Sequence, residues 1–191
     1  TFRATLIGLR NDNEGFYTHI RRDEDFSELF QLIINENWWN INKRVSEVLE
    51  YRNFYEWVNK TIGIKLFTLT TFDIPNAEAQ RVYSNMPIEY PVSGVKPIEK
   101  STWTETVLDN HKSFVANNID DIAEVFSDFK LIQSLGCESV CNLPIIVDGK
   151  LLGTVNCLDE ENYFTSEKIK ELENIKLPAI SCFLLNLLKK T

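Results

Sequence analysis

The sequence predicts an α+β domain, in which a group of β-strands lies between helical segments. Apolar residues recur at helical spacing over 41–62 and again after Thr165, whereas 64–73 alternates and is rich in threonine and aromatic residues, as strands are. An apolar hairpin follows over 138–158. With 191 residues, 43% of them hydrophobic and 25% charged, the chain has an ordinary globular composition and can bury a core.

The N-terminal part is predicted to form a hairpin and two helices. Two extended segments flank the turn-rich NDNEG within 2–22, and a helix is predicted over 23–37. The next helix, over 41–62, is expected to end at Gly63, because glycine readily adopts the left-handed backbone found after helix ends.

The middle of the chain is predicted to combine strands with short helices. Strands over 64–73 and 80–86 are expected to pair as a meander, and the proline-punctuated stretch 87–101 is long enough to suggest a functional or lid-like loop. The elements predicted next are a short helix over 101–110, a strand over 113–118, and one helix over 121–136 that is capped by Asp120-Asp121 and closed at Leu135-Gly136.

The most informative stretch is the apolar hairpin. Asp148-Gly149 between two apolar runs predicts a two-residue type I′ turn. Counting outward without a bulge pairs Cys141 with Asn156 and places Cys141 and Cys157 on opposite faces of the sheet. One face then carries a polar group, made of Ser139, Cys141, Thr154 and Asn156. Such a group suits a small-molecule pocket, and it equally suits a satisfied polar network in the core.

The final helix is expected to begin at the N-cap Thr165 and to break or kink at Pro178. The segment Ala179–Leu188 is apolar on nearly every side, and the 41–62 helix adds further aromatic residues: Tyr51, Phe54 and Trp57. One sheet covers only one side of such helices, so a homodimer through a helical bundle is expected. The alternative is that residues 1–40 cover this surface and leave a monomer.

Charge and composition exclude several classes of function. The 28 acidic and 20 basic residues give a net charge of −8 with no basic cluster, so nucleic acid is not an expected partner. No apolar run approaches the length of a membrane span and no signal-peptide pattern is seen, so a cytoplasmic protein without membrane contact is expected. Neither of the two histidines lies near a second metal ligand, and no metal or other cofactor is expected.

Several motifs resemble those of the GAF domain family. YSNMPIEYPVSGVKP, STWTETVL, LIQSLGCESVCNLPI and DGKLLGTVNCLDE follow one another in the family's order, and the closest similarity is to short stand-alone bacterial GAF-domain proteins. The chain departs from the family pattern at Ser93, Thr104 and Asp159. The resemblance places a GAF domain over 41–191 and leaves 1–40 as an N-terminal extension outside it.

The resemblance implies a PAS-like fold: an antiparallel sheet of five or six strands, with the terminal helices on one face and loops and short helices roofing a pocket on the other. It also implies a non-enzymatic small-molecule-sensing or regulatory module, or alternatively a purely structural dimerisation domain without a ligand. The ligand-binding candidates are Tyr83, Asn85, Tyr90, Lys96 and Trp103 before and within the loop, with Ser139, Cys141, Thr154 and Asn156 on the hairpin. Aromatic rings, one cation and several hydroxyls suit a small anionic or zwitterionic metabolite, although the same rings would also fill the space under the loop.

Other branches of the family fit less well. The signatures of the cyclic-nucleotide and bilin branches are not found. The enzymatic branch, free methionine-(R)-sulfoxide reductase, needs a nucleophilic thiolate and a second thiol that resolves the sulfenic acid. Cys137 would be the nucleophile and Cys141 the resolving thiol, but the cysteines expected in the loop before the short helix are missing from 87–103. Burial as small apolar side chains explains the thiols equally well.

Overall fold

The computed structural model describes residues 2–6, 18–22, 50–92 and 94–188. The chain divides into two compact units, Thr1–Glu47 and Val48–Thr191. In the first unit, strands β1 (Phe2–Leu6) and β2 (Thr18–Arg22) pair in antiparallel fashion. The helix predicted over 23–37 lies outside the described residues, as does the part of the next predicted helix before residue 50.

The second unit is built on a six-stranded antiparallel sheet. Its strands are β3 (Leu66–Asp73), β4 (Glu78–Ser84), β5 (Lys96–Pro97), β6 (Phe114–Ala116), β7 (Ser139–Val147) and β8 (Lys150–Asp159). They lie in the order β5-β4-β3-β8-β7-β6, so that β3 pairs with both β4 and β8. The predicted meander and the later apolar hairpin therefore join into one sheet, with β3 and β8 at its centre.

The terminal helices cover one face of this sheet. They are α1 (Tyr51–Thr61), α5 (Ser166–Glu173) and α6 (Lys176–Leu188). Val58 of α1 and Phe183 of α6 belong to the same buried cluster as Phe67 of β3. Both ends of the domain thus pack on one face, as predicted. The end of α1 is also as predicted, because Gly63 has a φ of 76°.

Pro178 lies within α6, in its first turn, where its missing N–H breaks no intrahelical hydrogen bond. The interruption expected from this proline is present, but it falls at residues 174–175, between α5 and α6. Thr165 caps α5 as predicted, since its side chain accepts a hydrogen bond from the backbone N–H of Lys168.

Short elements cover the opposite face. They are α2 (Thr102–Thr104), which continues into a π-helical turn over Glu105–Asp109, and the helices α3 (Ile119–Ala123) and α4 (Phe129–Ser134). The single helix predicted over 121–136 is wrong, because the chain leaves the helix between α3 and α4. The intervening Phe126 turns inward and packs edge-on against Trp103 and Phe114. The predicted cap is also wrong: the side chain of Asn118, not of Asp120 or Asp121, accepts the hydrogen bond that caps α3.

The apolar hairpin has the predicted turn but not the predicted register. Asp148 and Gly149 have φ angles of 51° and 69°, as a type I′ turn requires. Ile146 pairs with Leu151, but Ile145 pairs with Gly153, so Leu152 is the extra residue of a β-bulge. Beyond the bulge the register differs from the prediction by one residue.

This shift changes which side chains share a face. Cys141 lies opposite Cys157, on the same face of the sheet, so the prediction that they point to opposite faces is wrong. Both thiols are free. Asn156 lies opposite Asn142 instead of Cys141, and Thr154 lies opposite Pro144. The predicted polar face is therefore split between the two sides of the sheet.

A second bulge occurs in β4. Leu69 pairs with Tyr83, but the next residue, Thr70, pairs with Arg81, so Val82 is the extra residue. Direct cross-strand partners lie on the same face. The bulge therefore places Tyr83 with Leu69 on the helix-covered face and Arg81 with Thr70 on the other.

Candidate functional site

A cavity of about 360 Å³ lies on the sheet face opposite the terminal helices. Side chains of β3, β4, β7 and β8 form its floor, and residues 96–104 and the α3–α4 connection form its walls and roof. Small-molecule sites in proteins typically have volumes of about 300–1,000 Å³. The cavity is therefore large enough for a small metabolite.

A chain of side-chain hydrogen bonds runs across the floor. The indole Nε1–H of Trp103 donates to Asn142 Oδ1 at 2.9 Å, and Asn142 Nδ2 donates to Asn156 Oδ1 at 2.9 Å. Asn156 Nδ2 then donates to the hydroxyl oxygens of Thr68 and Thr70, each at 3.2 Å. The network ties the roof, through Trp103, to three strands of the sheet.

The indole also sets the direction of this network. An indole N–H only donates, so Asn142 has to present its oxygen to Trp103, and its NH₂ group then has to donate to Asn156. The hydroxyls of Thr68 and Thr70 consequently act as acceptors toward Asn156 and keep their own hydrogens. Neither hydroxyl donates a hydrogen bond to any described residue, so both remain available as donors.

A row of polar side chains lies beside this network. Arg81, Thr70 and Thr154 occupy neighbouring positions on β4, β3 and β8, because Thr70 is the direct partner of both other residues. All three line the cavity. Thr154 is fully buried, and within the described part of the chain its Oγ1 and the Nε of Arg81 are buried without a hydrogen-bond partner. Buried polar atoms usually have a hydrogen-bond partner, so two buried atoms without one in the same row are an exception to this rule.

Arg81 is held by contacts with Tyr90 and Pro91, in the segment between β4 and β5. Its guanidinium lies 4.8 Å from the ring centroid of Tyr90, and its Nη1 donates to the carbonyl oxygen of Pro91 at 3.1 Å. The Tyr90 hydroxyl donates to Asp128 Oδ2 at 2.9 Å. Burial lowers the pKa of Arg81 and raises that of Tyr90, which the adjacent Asp128 raises further. Arg81 is thus a partly desolvated cation at the cavity wall.

The structure brings together five of the nine side chains proposed from the sequence. Tyr90, Lys96, Trp103, Thr154 and Asn156 line the cavity. The other four lie elsewhere. Tyr83 packs against Tyr55 and Phe67 on the helix-covered face, and Asn85 accepts a hydrogen bond from the N–H of Phe67 and donates one to the Tyr55 hydroxyl. Ser139 donates to the carbonyl oxygen of Glu160, and Cys141 is buried in the helix-side cluster.

Sequence reasoning missed several cavity residues. Thr68 and Thr70 are two residues apart in a predicted strand, and this spacing is the signal that could have placed their hydroxyls on one face. Asn142 lies opposite Asn156 because of the Leu152 bulge, whereas counting without a bulge pairs Asn156 with Cys141. Arg81 carried no local signal, because its position depends on the bulge at Val82.

The four cysteines are all buried. Burial raises the pKa of Cys137 to about 11, and that of Cys141 to about 12. These two thiols also lie on different sides of the sheet, since Cys137 packs in the cavity-side cluster and Cys141 in the helix-side cluster. A nucleophilic thiol needs a lowered pKa and access to solvent, and a resolving thiol must reach it. Cys137 has a raised pKa and is buried, and Cys141 lies on the other side of the sheet, so these two thiols do not meet the requirements.

Neither a metal-ligand cluster nor a membrane-spanning helix occurs in the described part of the chain. No group of three or more His, Cys, Asp or Glu residues there is placed to hold a metal ion. None of the helices described there is both long and apolar enough to cross a membrane.

The sheet, its two helical coverings and the roofed cavity define the PAS-like class of α+β domains. The GAF domain model matches residues 44–175, and the chain belongs to this family. Among curated proteins, no sequence shows significant similarity to the chain.

Solved structures of GAF domains have the same fold. The GAF domain of a two-component sensor histidine kinase from Bacillus halodurans has a TM-score of 0.60 at 12% identity, over 73% of this chain and 95% of that one. A GAF domain/HD domain protein from Geobacter sulfurreducens has a TM-score of 0.58 at 12% identity, and the match covers 76% of this chain and 94% of that one. The GAF domain of a phosphoenolpyruvate-protein phosphotransferase from Coxiella burnetii has a TM-score of 0.58 at 12% identity, and the match covers 81% of this chain and 96% of that one. At such identities the similarity concerns the fold alone.

Proposed function

We propose that this chain is a non-enzymatic regulatory domain that senses a small molecule in the cavity under Trp103. GAF domains generally act as signalling and sensing modules, and the chain belongs to that family. The observation that carries the proposal is the fully buried Thr154, a residue of the cavity lining whose hydroxyl has no partner among the described residues. An unpaired buried hydroxyl destabilises the empty domain, and a ligand that bonds to it would remove this penalty.

Thermal-shift screening of a metabolite library tests the proposal. A ligand that binds only the folded protein raises the melting temperature. Each compound that does so is then tested on Trp103→Ala, which removes part of the cavity roof, and on Ile74→Ala as a control, because Ile74 is exposed in the β3–β4 turn and does not line the cavity. We expect the shift to be lost in the first variant and kept in the second. A library without any stabilising compound, or compounds that stabilise both variants equally, would contradict ligand sensing at this cavity.

A second part of the proposal is dimerisation through the terminal helices. A group of large apolar side chains on α1 and α6 is exposed: Trp57, Leu177, Leu184, Leu187 and Leu188, with Leu177 at 72% and Leu188 at 70%. Exposed apolar groups of this size are typical of interaction surfaces. Light scattering at micromolar concentration tests this part. We expect twice the 22.2 kDa chain mass, falling to the chain mass in Leu177→Lys. A wild-type mass of one chain at every concentration would reject the dimer and leave ligand sensing unaffected.

A further inference from the structure

We propose that the cavity recognises the carboxylate group of a small organic anion, held by the row of Arg81, Thr70 and Thr154. This proposal rests on the proposed sensing function and names the chemistry of its ligand.

The geometry of the row is the first argument. The three side chains are direct cross-strand neighbours on β4, β3 and β8, and neighbouring strands lie about 4.8 Å apart. They project from one face into one cavity. Donors at this spacing reach the two oxygens of a single carboxylate from adjacent positions, with the guanidinium at one end and the hydroxyls beside it.

The free donors are the second argument. Arg81 Nε is a donor, and in the described part of the chain it is buried without an acceptor. The Thr70 hydroxyl accepts from Asn156, so its hydrogen is free to point elsewhere. The Thr154 hydroxyl has no partner among the described residues. The row therefore presents three unused donors, and an acceptor-only group such as an ionised carboxylate satisfies all of them.

Charge supports an anion and limits its size. The side chains that line the cavity include three cations, Arg81, Lys96 and Lys100, and two acids, Glu99 and Asp128, so the site carries about one net positive charge in a chain of net charge −8. Lys96 and Lys100 are exposed, whereas Arg81 is partly buried near Asp128. One partly buried cation suits a single negative charge better than the dianionic phosphate, because an uncompensated buried charge is costly.

The rest of the ligand would contact the aromatic part of the cavity. Phe72 and Phe126 both pack against Trp103, with ring centroids 6.2 and 6.4 Å from it, and all three line the cavity. A ligand with a flat apolar body and one carboxylate would place the body against these aromatic rings and the carboxylate against the polar row.

Calorimetric titration with matched probes tests the proposal on the full chain. The carboxylates are benzoate, phenylacetate, 3-phenylpropionate and butyrate, each is paired with its neutral amide, and phenyl phosphate is the dianionic probe. The variants are Thr154→Val, which has nearly the same shape, and Arg81→Met. Thr71→Val is the control, because Thr71 lies on the same strand but does not line the cavity. Circular dichroism and a melting curve verify that each variant folds.

We expect at least one carboxylate to bind and its amide to bind at least about tenfold more weakly. Loss of a hydrogen bond to a charged group weakens binding about ten- to a hundredfold, so Thr154→Val and Arg81→Met should show such losses and Thr71→Val should not. Because Thr154→Val removes an unpaired buried hydroxyl, it should fold at least as stably as the wild type, and its weaker binding would not reflect misfolding.

Several results would overturn the proposal. These are amides that bind as tightly as their carboxylates, a Thr154→Val variant with unchanged affinity, phenyl phosphate that binds more tightly than every carboxylate, or no binding by any probe. If a neutral metabolite from the thermal-shift screen depends on Trp103 but not on Thr154 or Arg81, the sensing function stands and the carboxylate row does not. If no compound in either experiment binds, both proposals are rejected.

Discussion

Replacing Asn156 by leucine is expected to destabilise the domain by breaking the hydrogen-bond network on the cavity floor. Asn156 is 9% exposed and takes part in three side-chain hydrogen bonds, one from Asn142 and one each to Thr68 and Thr70. Leucine has the same branching pattern but can make none of them. The threonine hydroxyls can rotate toward the cavity, whereas the amide of Asn142 stays buried without its acceptor.

The size of the effect follows from these contacts. Three hydrogen bonds contribute about 1 kcal/mol each, and the stranded NH₂ group of Asn142 adds about 1–3 kcal/mol. Burial of the leucine methyl groups offsets about 1–2 kcal/mol of this loss. We therefore expect the free energy of unfolding to fall by about 2–5 kcal/mol. Asn142→Leu should have a similar effect, because it strands the Trp103 N–H and the Asn156 oxygen.

The double variant distinguishes a coupled network from two separate losses. In Asn142→Leu/Asn156→Leu the bond between the two amides is removed from both sides, and neither amide is left unpaired. Its loss of stability should therefore be smaller than the sum of the two single losses by about 1–3 kcal/mol. Urea unfolding followed by circular dichroism measures all four proteins of this cycle. Losses that add to within about 0.5 kcal/mol, or single losses below about 1 kcal/mol, would refute the network as described.

Three further predictions concern other parts of the domain. Gly153→Ala should lower the free energy of unfolding by about 1–3 kcal/mol, because the added Cβ would collide with the Phe183 ring and the carbonyl oxygen of Thr70; a urea titration showing no loss would contradict this close packing. The four cysteines should not react with a disulfide reagent near pH 8 in the native protein and should all react in concentrated guanidinium, because burial raises the pKa of Cys137 to about 11 and of Cys182 to about 11; rapid native labelling would show an accessible thiolate. Asn118→Ala should cost about 1 kcal/mol through loss of the α3 cap and Asp120→Ala less, and the reverse order in thermal unfolding would favour the cap predicted from the sequence.

Local signals explain what the sequence predicted correctly. The Asp148-Gly149 turn depends on two residues that adopt positive φ, and the end of α1 depends on Gly63 doing the same. The placement of both terminal helices on one face follows from their apolar stripes and from the family resemblance. Each of these features is decided by residues close together in the chain or by a pattern repeated over many residues.

The helix predicted over 121–136 shows where such signals are insufficient. Its apolar spacing is helical throughout, but the chain leaves the helix so that Phe126 can reach Trp103 and Phe114 and the Asp128 carboxylate can accept from the Tyr90 hydroxyl. These partners are distant in sequence. Tertiary contacts with the cavity roof therefore outweigh a local helical preference over this segment.

The composition of the cavity depends on the same kind of distant contact. Side chains alternate along a strand, so one inserted residue moves every later side chain to the other face. The Leu152 bulge does this in β8: it takes Thr154 and Asn156 away from Cys141 and brings Asn156 opposite Asn142. A glycine within a strand often marks a bulge or a close approach, and Gly153 marks both, because Phe183 of α6 fills the space beside it. The polar floor of the cavity is thus set together with the packing of the terminal helix on the opposite face, and no count along the hairpin alone could have assigned it.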